Sequence, residues 1–182
     1  MKNNIETEFK FLIDRIPKIK FDRKLEITQI YFNGFKCKTL LIDLFKLSED
    51  EFNMIHTFRA RIIKENQNVD YIITLKTKGI TSRKELELNV SKDIYDLLIN
   101  NNIVSIIIKN RYILKDQYNY EFDEYLNLQN KLFTCEVEVT LDEMNDNIKT
   151  YLMNNLQKKY LLSVSDITMD NRYKNSNLHK YF

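Results

Sequence analysis

The sequence predicts an α+β fold built on a largely antiparallel β-sheet. Apolar and polar residues alternate with a period of two along most of the chain, which is typical of strands that bury one face. Helical periodicity is confined to three places, too few for the crossover helix that most parallel connections need. The 182 residues suffice for one domain with its own core, and no linker or repeat divides them. We therefore predict a single domain over residues 1–182.

The predicted elements follow one another as a run of strands with helices that connect and cover them. Strands are expected at 6–13, 24–32, 58–64, 71–78, 83–90, 106–114, 118–125 and 133–141. Helices are expected at 91–101 with Ser91 as the N-cap, at 141–159 with Asp142 as the N-cap, and in the tail after Asp170.

Composition excludes several classes of site. The formal net charge is only +2 although 30% of the residues are charged, so overall charge indicates neither a nucleic-acid nor a membrane partner. Gly34 and Gly79 are the only glycines, which excludes a glycine-rich phosphate loop. The two histidines, His56 and His179, lack metal-ligand spacing, and neither lies in a nucleophile motif. Any phosphate must therefore be held by side chains.

The cysteines and the apolar segments bear on location. Cys37 and Cys135 cannot form a disulfide framework, and Cys135 lies in an alternating strand where a small buried residue is expected. The first ten residues do not resemble a signal peptide, and no segment approaches the roughly 18 apolar residues of a membrane span. We predict a cytoplasmic protein without a membrane partner.

One face of seven strands carries charged residues in pairs. Side chains at i, i+2 and i+4 of a strand share a face, so Glu6, Glu8 and Lys10 lie opposite Phe9 and Phe11. The same alternation places the following residues on the charged faces of later strands: Arg59, Arg61, Lys76, Lys78, Arg83, Glu85, Glu87, Lys109, Arg111, Glu121, Asp123, Glu136 and Glu138.

Two interpretations fit this pattern. For a single strand, a polar face in contact with water is the ordinary explanation. Across seven strands, paired Glu, Asp, Arg and Lys instead favour a sheet that curls into a barrel with a charged interior. The set has eight cations and eight anions, and such an interior needs bound ions that match it. Cations suit a polyphosphate, and carboxylates suit Mg²⁺ or Mn²⁺.

These residues resemble the CYTH superfamily, also called triphosphate tunnel metalloenzymes, over nearly the whole chain. The hallmark E-x-E-x-K is present as Glu6, Glu8 and Lys10. It is followed in the family's order by Arg59-x-Arg61, the Lys76 strand, Arg83-x-Glu85-x-Glu87, Lys109-x-Arg111-Tyr112, Glu121-x-Asp123 and Glu136-x-Glu138. Residues 166–175, with the sequence DITMDNRYKN, are similar to the carboxy-terminal signature, although Met169 replaces a common glycine and Lys174 a common serine.

The resemblance implies a closed antiparallel barrel of eight strands, flanked by helices, that hydrolyses a linear triphosphate with two divalent ions. Catalysis would rest on Glu6, Glu8, Lys10, Arg59 and Arg61. The implied phosphate ligands are Lys10, Arg59, Arg61, Lys76, Lys78, Arg83, Lys109, Arg111 and Arg172. The implied metal ligands for Mg²⁺ or Mn²⁺ are Glu6, Glu8, Glu85, Glu87, Asp123, Glu136 and Glu138.

Several activities remain open at this point. Inorganic tripolyphosphate is the first candidate substrate because the compact chain suits a small ligand. A thiamine or nucleoside triphosphatase needs a tunnel mouth that accepts an organic group. A class IV adenylyl cyclase would make cyclic AMP from ATP, and a polyphosphate- or nucleotide-binding module would not need the carboxylates. Aromatic residues alternate onto the opposite face, which argues against nucleic-acid binding.

Overall fold

The computed structural model describes the backbone of residues 2–78 and 82–182, and the side chains of residues 7–78 and 84–182. The strands of these ranges are β1 (Lys2–Ile13), β2 (Arg23–Phe32), β3 (Ile55–Glu65), β4 (Asn68–Thr77), β5 (Ser82–Asn89), β6 (Ile103–Lys115), β7 (Asn119–Tyr125), β8 (Leu132–Glu138) and β9 (Val164–Asp166). The helices are α1 (Lys38–Phe45), α2 (Glu49–Asn53), α3 (Lys92–Ile99), α4 (Asp146–Lys158) and α5 (Leu178–Tyr181), with 3₁₀ turns at Gly34–Cys37 and Asn171–Tyr173. Among them, no helix is both long and apolar enough to cross a membrane.

The strand predictions are confirmed, and the helix predictions are confirmed in part. All eight expected strands are present, and Ser91 caps α3 by accepting a hydrogen bond from the Ile94 amide at 3.4 Å. The prediction of Asp142 as the cap of α4 is wrong. That helix begins later because Asn145 accepts from the amides of Asn147 and Ile148, each at 3.1 Å. Helices α1 and α2 and strand β9 were not predicted from the sequence.

The strands form one antiparallel sheet. Their order is β5-β4-β3-β2-β6-β7-β8-β1-β9, and β5 also pairs with β1. The described residues thus contain nine strands rather than the eight predicted. The additional strand, β9, pairs with β1 at Phe11, Leu12 and Ile13. The closed barrel stays a prediction.

Two compact units make up the chain, and each has an apolar core. The first unit contains Ile27–Ile107 and the first six residues, and the second contains Thr7–Glu26 and Ile108–Phe182. The single domain over 1–182 stays a prediction. In the first unit, α1, α2 and α3 cover the apolar face of β3, β4 and β5, and Phe52, Ala60 and Leu75 are fully buried there.

In the second unit, α4 covers the apolar face of β1, β7 and β8. Phe11, Phe122, Leu152 and Leu156 are fully buried at this contact. Cys135 is also fully buried, as predicted, and is a free thiol. Because successive side chains of a strand alternate, burial of these apolar faces directs the charged residues of each unit to the opposite face of its own strands.

Gly34 is required by close packing against a core ring. A Cβ at this position would lie 2.1 Å from Cδ1 of Phe58, whose side chain is buried among core residues of the first unit. We expect Gly34→Ala to lower the free energy of unfolding by about 1–3 kcal/mol through overpacking. Urea denaturation measures this loss, and Lys36→Ala in the same 3₁₀ turn, where the side chain is exposed, is the control. Equal stability of the two variants would contradict the packing argument.

Candidate functional site

Many of the charged side chains on the strands are buried. Among the described residues, seven Lys, Arg, Asp and Glu residues have less than a tenth of their surface exposed, among them Lys109 at 2% and Asp123 at 0%. A sheet face in contact with water would leave such residues exposed, so the solvated-face interpretation is wrong for these positions. The seven are Lys10, Arg59, Lys76, Glu85, Lys109, Asp123 and Glu136.

The first unit holds a group that we call the Arg59 cluster: Arg59, Arg61, Thr74, Lys76, Glu85 and Glu87. The ladders of β3, β4 and β5 bring it together, since Arg59 is opposite Thr74, Thr74 is opposite Glu87, and Lys76 is opposite Glu85. The sequence analysis missed Thr74, although it lies two residues before Lys76 on the same face.

Ion pairs connect the members of the Arg59 cluster. Arg59 Nη2 donates to Glu85 Oε1 at 2.7 Å and to Glu87 Oε1 at 3.3 Å. Lys76 Nζ lies 3.1 Å from Glu85 Oε2, and Arg61 donates to Glu87. Burial by itself would raise the pKa of Glu87, but the guanidinium groups of Arg61 and Arg59 outweigh it and lower that pKa. Glu87 is therefore ionised at neutral pH.

The described residues of the Arg59 cluster include more cations than anions. Among the described members of the cluster, Arg59, Arg61 and Lys76 are cations that pair with the carboxylates of Glu85 and Glu87. Each guanidinium presents five N–H donors in a planar fork that matches phosphate oxygens, so the cluster is suited to an anion.

The second unit holds the Arg111 cluster: Lys10, Lys109, Arg111, Glu121, Asp123 and Glu136. Arg111 is opposite Asp123 across β6 and β7, and Glu136 is opposite both Glu121 and Lys10. Arg111 binds Asp123 through Nε and Nη2, each at 2.7 Å, reaches Glu136 Oε2 at 2.5 Å, and also donates to Glu121. One guanidinium thus organises three carboxylates.

Two lysines complete the Arg111 cluster. Lys10 Nζ is 2.8 Å from Glu136 Oε1, and Lys109 Nζ is 2.5 Å from Asp123 Oδ2. Burial lowers the pKa of Lys109, the Arg111 charge lowers it further, and the resulting pKa is about 8. Burial also acts to lower the pKa of Lys10, but Glu136 and Tyr125 outweigh it and raise that pKa above its ordinary value. The two lysines therefore differ in how firmly each holds its proton.

The ionisation of Glu136 makes the stability of the fold depend on pH in the acid range. Burial would raise its pKa, but Lys10 and Arg111 outweigh burial and hold the pKa well below its ordinary value of 4.5. A carboxyl with a depressed folded-state pKa stabilises the fold above its unfolded pKa, and this contribution is lost as pH falls below about 4.5. We expect Glu136→Gln to melt well below the wild type at pH 6, with the gap narrowing toward pH 3.

Thermal unfolding across this pH range measures the effect. Glu26→Gln on β2, where the glutamate is exposed, is the matched control and should follow the wild type throughout. A gap between Glu136→Gln and wild type that is independent of pH would contradict the assignment of Glu136 as a buried, ionised carboxylate.

Glu8 and Glu138 face each other on neighbouring strands. Their Cα atoms are paired in the ladder between β1 and β8, so both side chains leave the sheet on the same face. Glu8 is half-buried and Glu138 is exposed. The pair thus places two carboxylates side by side on one face of β1 and β8.

The donor set fits a divalent ion that shares its ligands with a substrate. Among the residues whose positions are described, no group of three or more His, Cys, Asp or Glu side chains forms a complete metal cage. Mg²⁺ ordinarily uses one or two carboxylates and takes its other ligands from water and phosphate. The facing pair of Glu8 and Glu138 meets that requirement.

The remaining predicted site residues lie elsewhere. Lys78 follows the end of β4 and is exposed. Arg172 lies in the second 3₁₀ turn with 61% of its side chain exposed, where it pairs with Asp170. The predictions for Glu6 and Arg83 fall on side chains outside the described residues. The structure therefore places eleven of the predicted charged residues in the two clusters and sets Glu8 opposite Glu138, whereas Lys78 and Arg172 lie in neither cluster.

Sequence reasoning missed two polar residues that contact the Arg111 cluster. Asn175 Oδ1 accepts from Lys10 Nζ at 3.1 Å and from Tyr125 Oη at 2.7 Å. Tyr125 Oη also lies 3.4 Å from Thr134 Oγ1, and its ring stacks under the Lys109 ammonium. Asn175 is the last residue of segment 166–175, whose similarity to the carboxy-terminal signature was the feature of the sequence that could have identified it as a site residue.

Comparison with known proteins supports the fold. No protein-family model matches the chain, and no curated protein sequence matches it. An inorganic triphosphatase of known structure has 20% identity and a TM-score of 0.56, over 97% of this chain and 95% of that one.

Two further solved structures are similar. A candidate adenylyl cyclase from Hippeastrum with a dominant triphosphatase activity has 13% identity and a TM-score of 0.61, over 96% of this chain and 95% of that one. A candidate adenylate cyclase from Bacillus halodurans has 16% identity and a TM-score of 0.51, over 84% and 90%. The chain therefore shares its fold with these proteins.

Proposed function

We propose that this protein hydrolyses a linear triphosphate with the help of divalent metal ions. The observation that carries the proposal is the burial of paired cations and carboxylates on one face of the sheet. Taking charges out of water is costly, and a buried ion pair is often no more stable than apolar packing of the same volume. A charged face that is retained at this cost favours a ligand of complementary charge.

The Arg59 cluster is proposed as the main phosphate site. Ion pairs with Glu85 and Glu87 hold the donor groups of Arg59, Arg61 and Lys76 at fixed positions. Such preorganised donors stabilise charge that develops in phosphoryl transfer without having to reorganise during the reaction. Lys10, Lys109 and Arg111 of the Arg111 cluster, with Lys78, Arg83 and Arg172, remain proposed phosphate ligands.

Glu8 and Glu138 are proposed as ligands of an Mg²⁺ or Mn²⁺ ion, together with Glu6. A bound divalent ion would supply charge neutralisation and would lower the pKa of a coordinated water. Glu85, Glu87, Asp123 and Glu136 remain candidates for a second ion. Of these, Asp123 and Glu136 are held by Lys109, Arg111 and Lys10, so their first proposed role is to orient these cations.

We further propose that the sheet closes into the predicted tunnel. The pairing of β5, which begins the strand order, with β1 supports this arrangement. Enclosure would exclude water from the reacting phosphates, and ionic interactions are stronger where water is excluded.

Tripolyphosphate is the proposed substrate, giving pyrophosphate and orthophosphate. The inorganic triphosphatase and the dominant triphosphatase activity of the Hippeastrum protein favour hydrolysis over cyclisation. Cytoplasmic location stays a prediction.

A product assay tests this proposal. Purified protein is incubated with tripolyphosphate, ATP or thiamine triphosphate, with Mg²⁺, with Mn²⁺ or with a chelator, and orthophosphate, pyrophosphate and cyclic AMP are measured. We expect metal-dependent orthophosphate release, fastest from tripolyphosphate. Formation of cyclic AMP and pyrophosphate from ATP would show that the protein is a cyclase rather than a hydrolase. Tight tripolyphosphate binding without turnover would show that it is a binding module.

A further inference from the structure

Lys10 is attached to the carboxy-terminal segment through its backbone. Its amide donates to Thr168 Oγ1 at 3.0 Å, and its carbonyl accepts from the Ile167 amide at 3.0 Å. Thr168 is held in turn by Asp166, whose Oδ1 lies 2.6 Å from Thr168 Oγ1. A residue near the start of the chain is thus fixed by residues near its end.

The Lys10 side chain is attached to the same segment. An ammonium group has three N–H donors, and two of them are used by Glu136 Oε1 at 2.8 Å and Asn175 Oδ1 at 3.1 Å. Tyr125 Oη donates to the same amide oxygen at 2.7 Å, which fixes the orientation of Asn175. Within the described part of the chain these are the two acceptors of the ammonium, so one N–H is available for a ligand.

The choice of an amide at this position has a physical consequence. A second carboxylate would bind the ammonium more strongly and would repel a phosphate, whereas an apolar side chain would allow the ammonium to turn toward Glu136 alone. A neutral second acceptor, together with Glu136, holds the ammonium in one orientation without adding negative charge.

The position of Asn175 is itself fixed by the tail. Leu178 is fully buried, the Phe182 ring packs 5.1 Å from that of Tyr173, and the Phe182 carbonyl accepts from the Gln129 amide at 2.7 Å. Asn175 is therefore presented to Lys10 by an ordered segment rather than by a free end.

From these contacts we propose that Asn175, oriented by Tyr125, is a positioning residue that sets the direction of the Lys10 ammonium toward a phosphate oxygen. This proposal rests on the function proposed above. It assigns to the carboxy-terminal segment a specific part in triphosphate binding and turnover.

Steady-state kinetics with tripolyphosphate test the proposal. Asn175→Leu is expected to lower kcat/KM by about tenfold to a hundredfold, because misplacement of a charged group by about 1 Å has an effect of this size. In a Lys10→Met background the same substitution should have no further effect, since the group that it positions is gone. Equal losses in both backgrounds would overturn the proposal.

Two other variants separate positioning from general damage to the fold. Tyr125→Phe removes only the hydroxyl that orients Asn175, and it should lower kcat/KM in the same direction by a smaller factor. Asn177→Leu removes a comparable side-chain hydrogen bond of the tail, which Asn177 donates to the Asn171 carbonyl at 2.9 Å, and it should leave kcat/KM unchanged. A loss in Asn177→Leu as large as that in Asn175→Leu would also overturn the proposal.

Binding measurements distinguish failure of this inference from failure of the proposed function. If the wild type binds tripolyphosphate in calorimetry but does not hydrolyse it, the proposed hydrolase activity is wrong. The effect of Asn175→Leu is then compared in the wild-type and Lys10→Met backgrounds by the Kd for tripolyphosphate. Asn175→Leu should then weaken binding in the wild-type background and not in Lys10→Met. If the wild type binds no tripolyphosphate, both proposals are overturned.

Discussion

In Glu8→Gln and Glu138→Gln, metal-dependent turnover is expected to fall by at least about a hundredfold. The two carboxylates face each other across β1 and β8, where a shared divalent ion is proposed. An amide keeps the shape and one acceptor oxygen but loses the charge that a hard cation requires. A metal ion contributes several kcal/mol to phosphoryl transfer, and each 1.36 kcal/mol corresponds to a factor of about ten in rate. Initial rates across an Mg²⁺ titration measure the loss.

Glu26→Gln provides the matched control because it makes the same substitution at an exposed strand position. It should retain wild-type rates at every metal concentration. If Glu8→Gln and Glu138→Gln also retain them, the assignment of the facing glutamates as metal ligands is wrong. A higher Mg²⁺ requirement with a recovered maximal rate would show instead that they bind the metal without acting on the chemical step.

Replacement of Arg111 by Met is expected to lower the free energy of unfolding by about 3–5 kcal/mol. Arg111 contacts Glu121, Asp123 and Glu136, and removal of one partner leaves buried carboxylates without compensation. Lys109 and Lys10 remain but cannot satisfy three carboxylates. Urea denaturation at pH 7 measures the change as a shift in midpoint at constant slope.

Arg172→Met is the control, since Arg172 has a largely exposed side chain paired with Asp170. Exposed ion pairs contribute about 0–1 kcal/mol, so this variant should unfold close to the wild type. Addition of Asp123→Asn to Arg111→Met should recover part of the lost stability because it removes a buried charge. A double variant less stable than Arg111→Met would contradict the electrostatic explanation.

The strands could be predicted because period-two alternation is a local property of the sequence. This rule alone placed seven charged residues on the charged faces of their strands, and their burial agrees with a charged interior. The seven are Lys10, Arg59, Lys76, Glu85, Lys109, Asp123 and Glu136. Helix α1 was missed because its apolar residues at 40–42 are consecutive rather than helically spaced, and α2 was missed because its five residues are too few to show a helical period. The start of α4 was missed because Asp142 and Asn145 are both good caps, and only tertiary contacts select between them.

Which charges meet could not be derived from alternation. The ladders decide that Arg59 lies opposite Thr74 and that Glu136 lies between Glu121 and Lys10, and strand order is not a local property. The contact between Lys10 and Asn175 joins residues 165 positions apart. The spacing of residues along the sequence carries no information about a contact between residues so far apart in the chain.

The partners of β1 have a consequence for how the chain folds. This strand pairs with β8 and β9, whose paired residues follow it by 120 positions or more, whereas β3 and β4 pair through a short turn. Contacts between residues so far apart slow folding because the loop entropy is lost before the contact stabilises. During synthesis, β1 therefore leaves the ribosome long before the strands that it pairs with. We expect its ladder to be the last to form, with the Arg59 cluster assembled ahead of the Arg111 cluster.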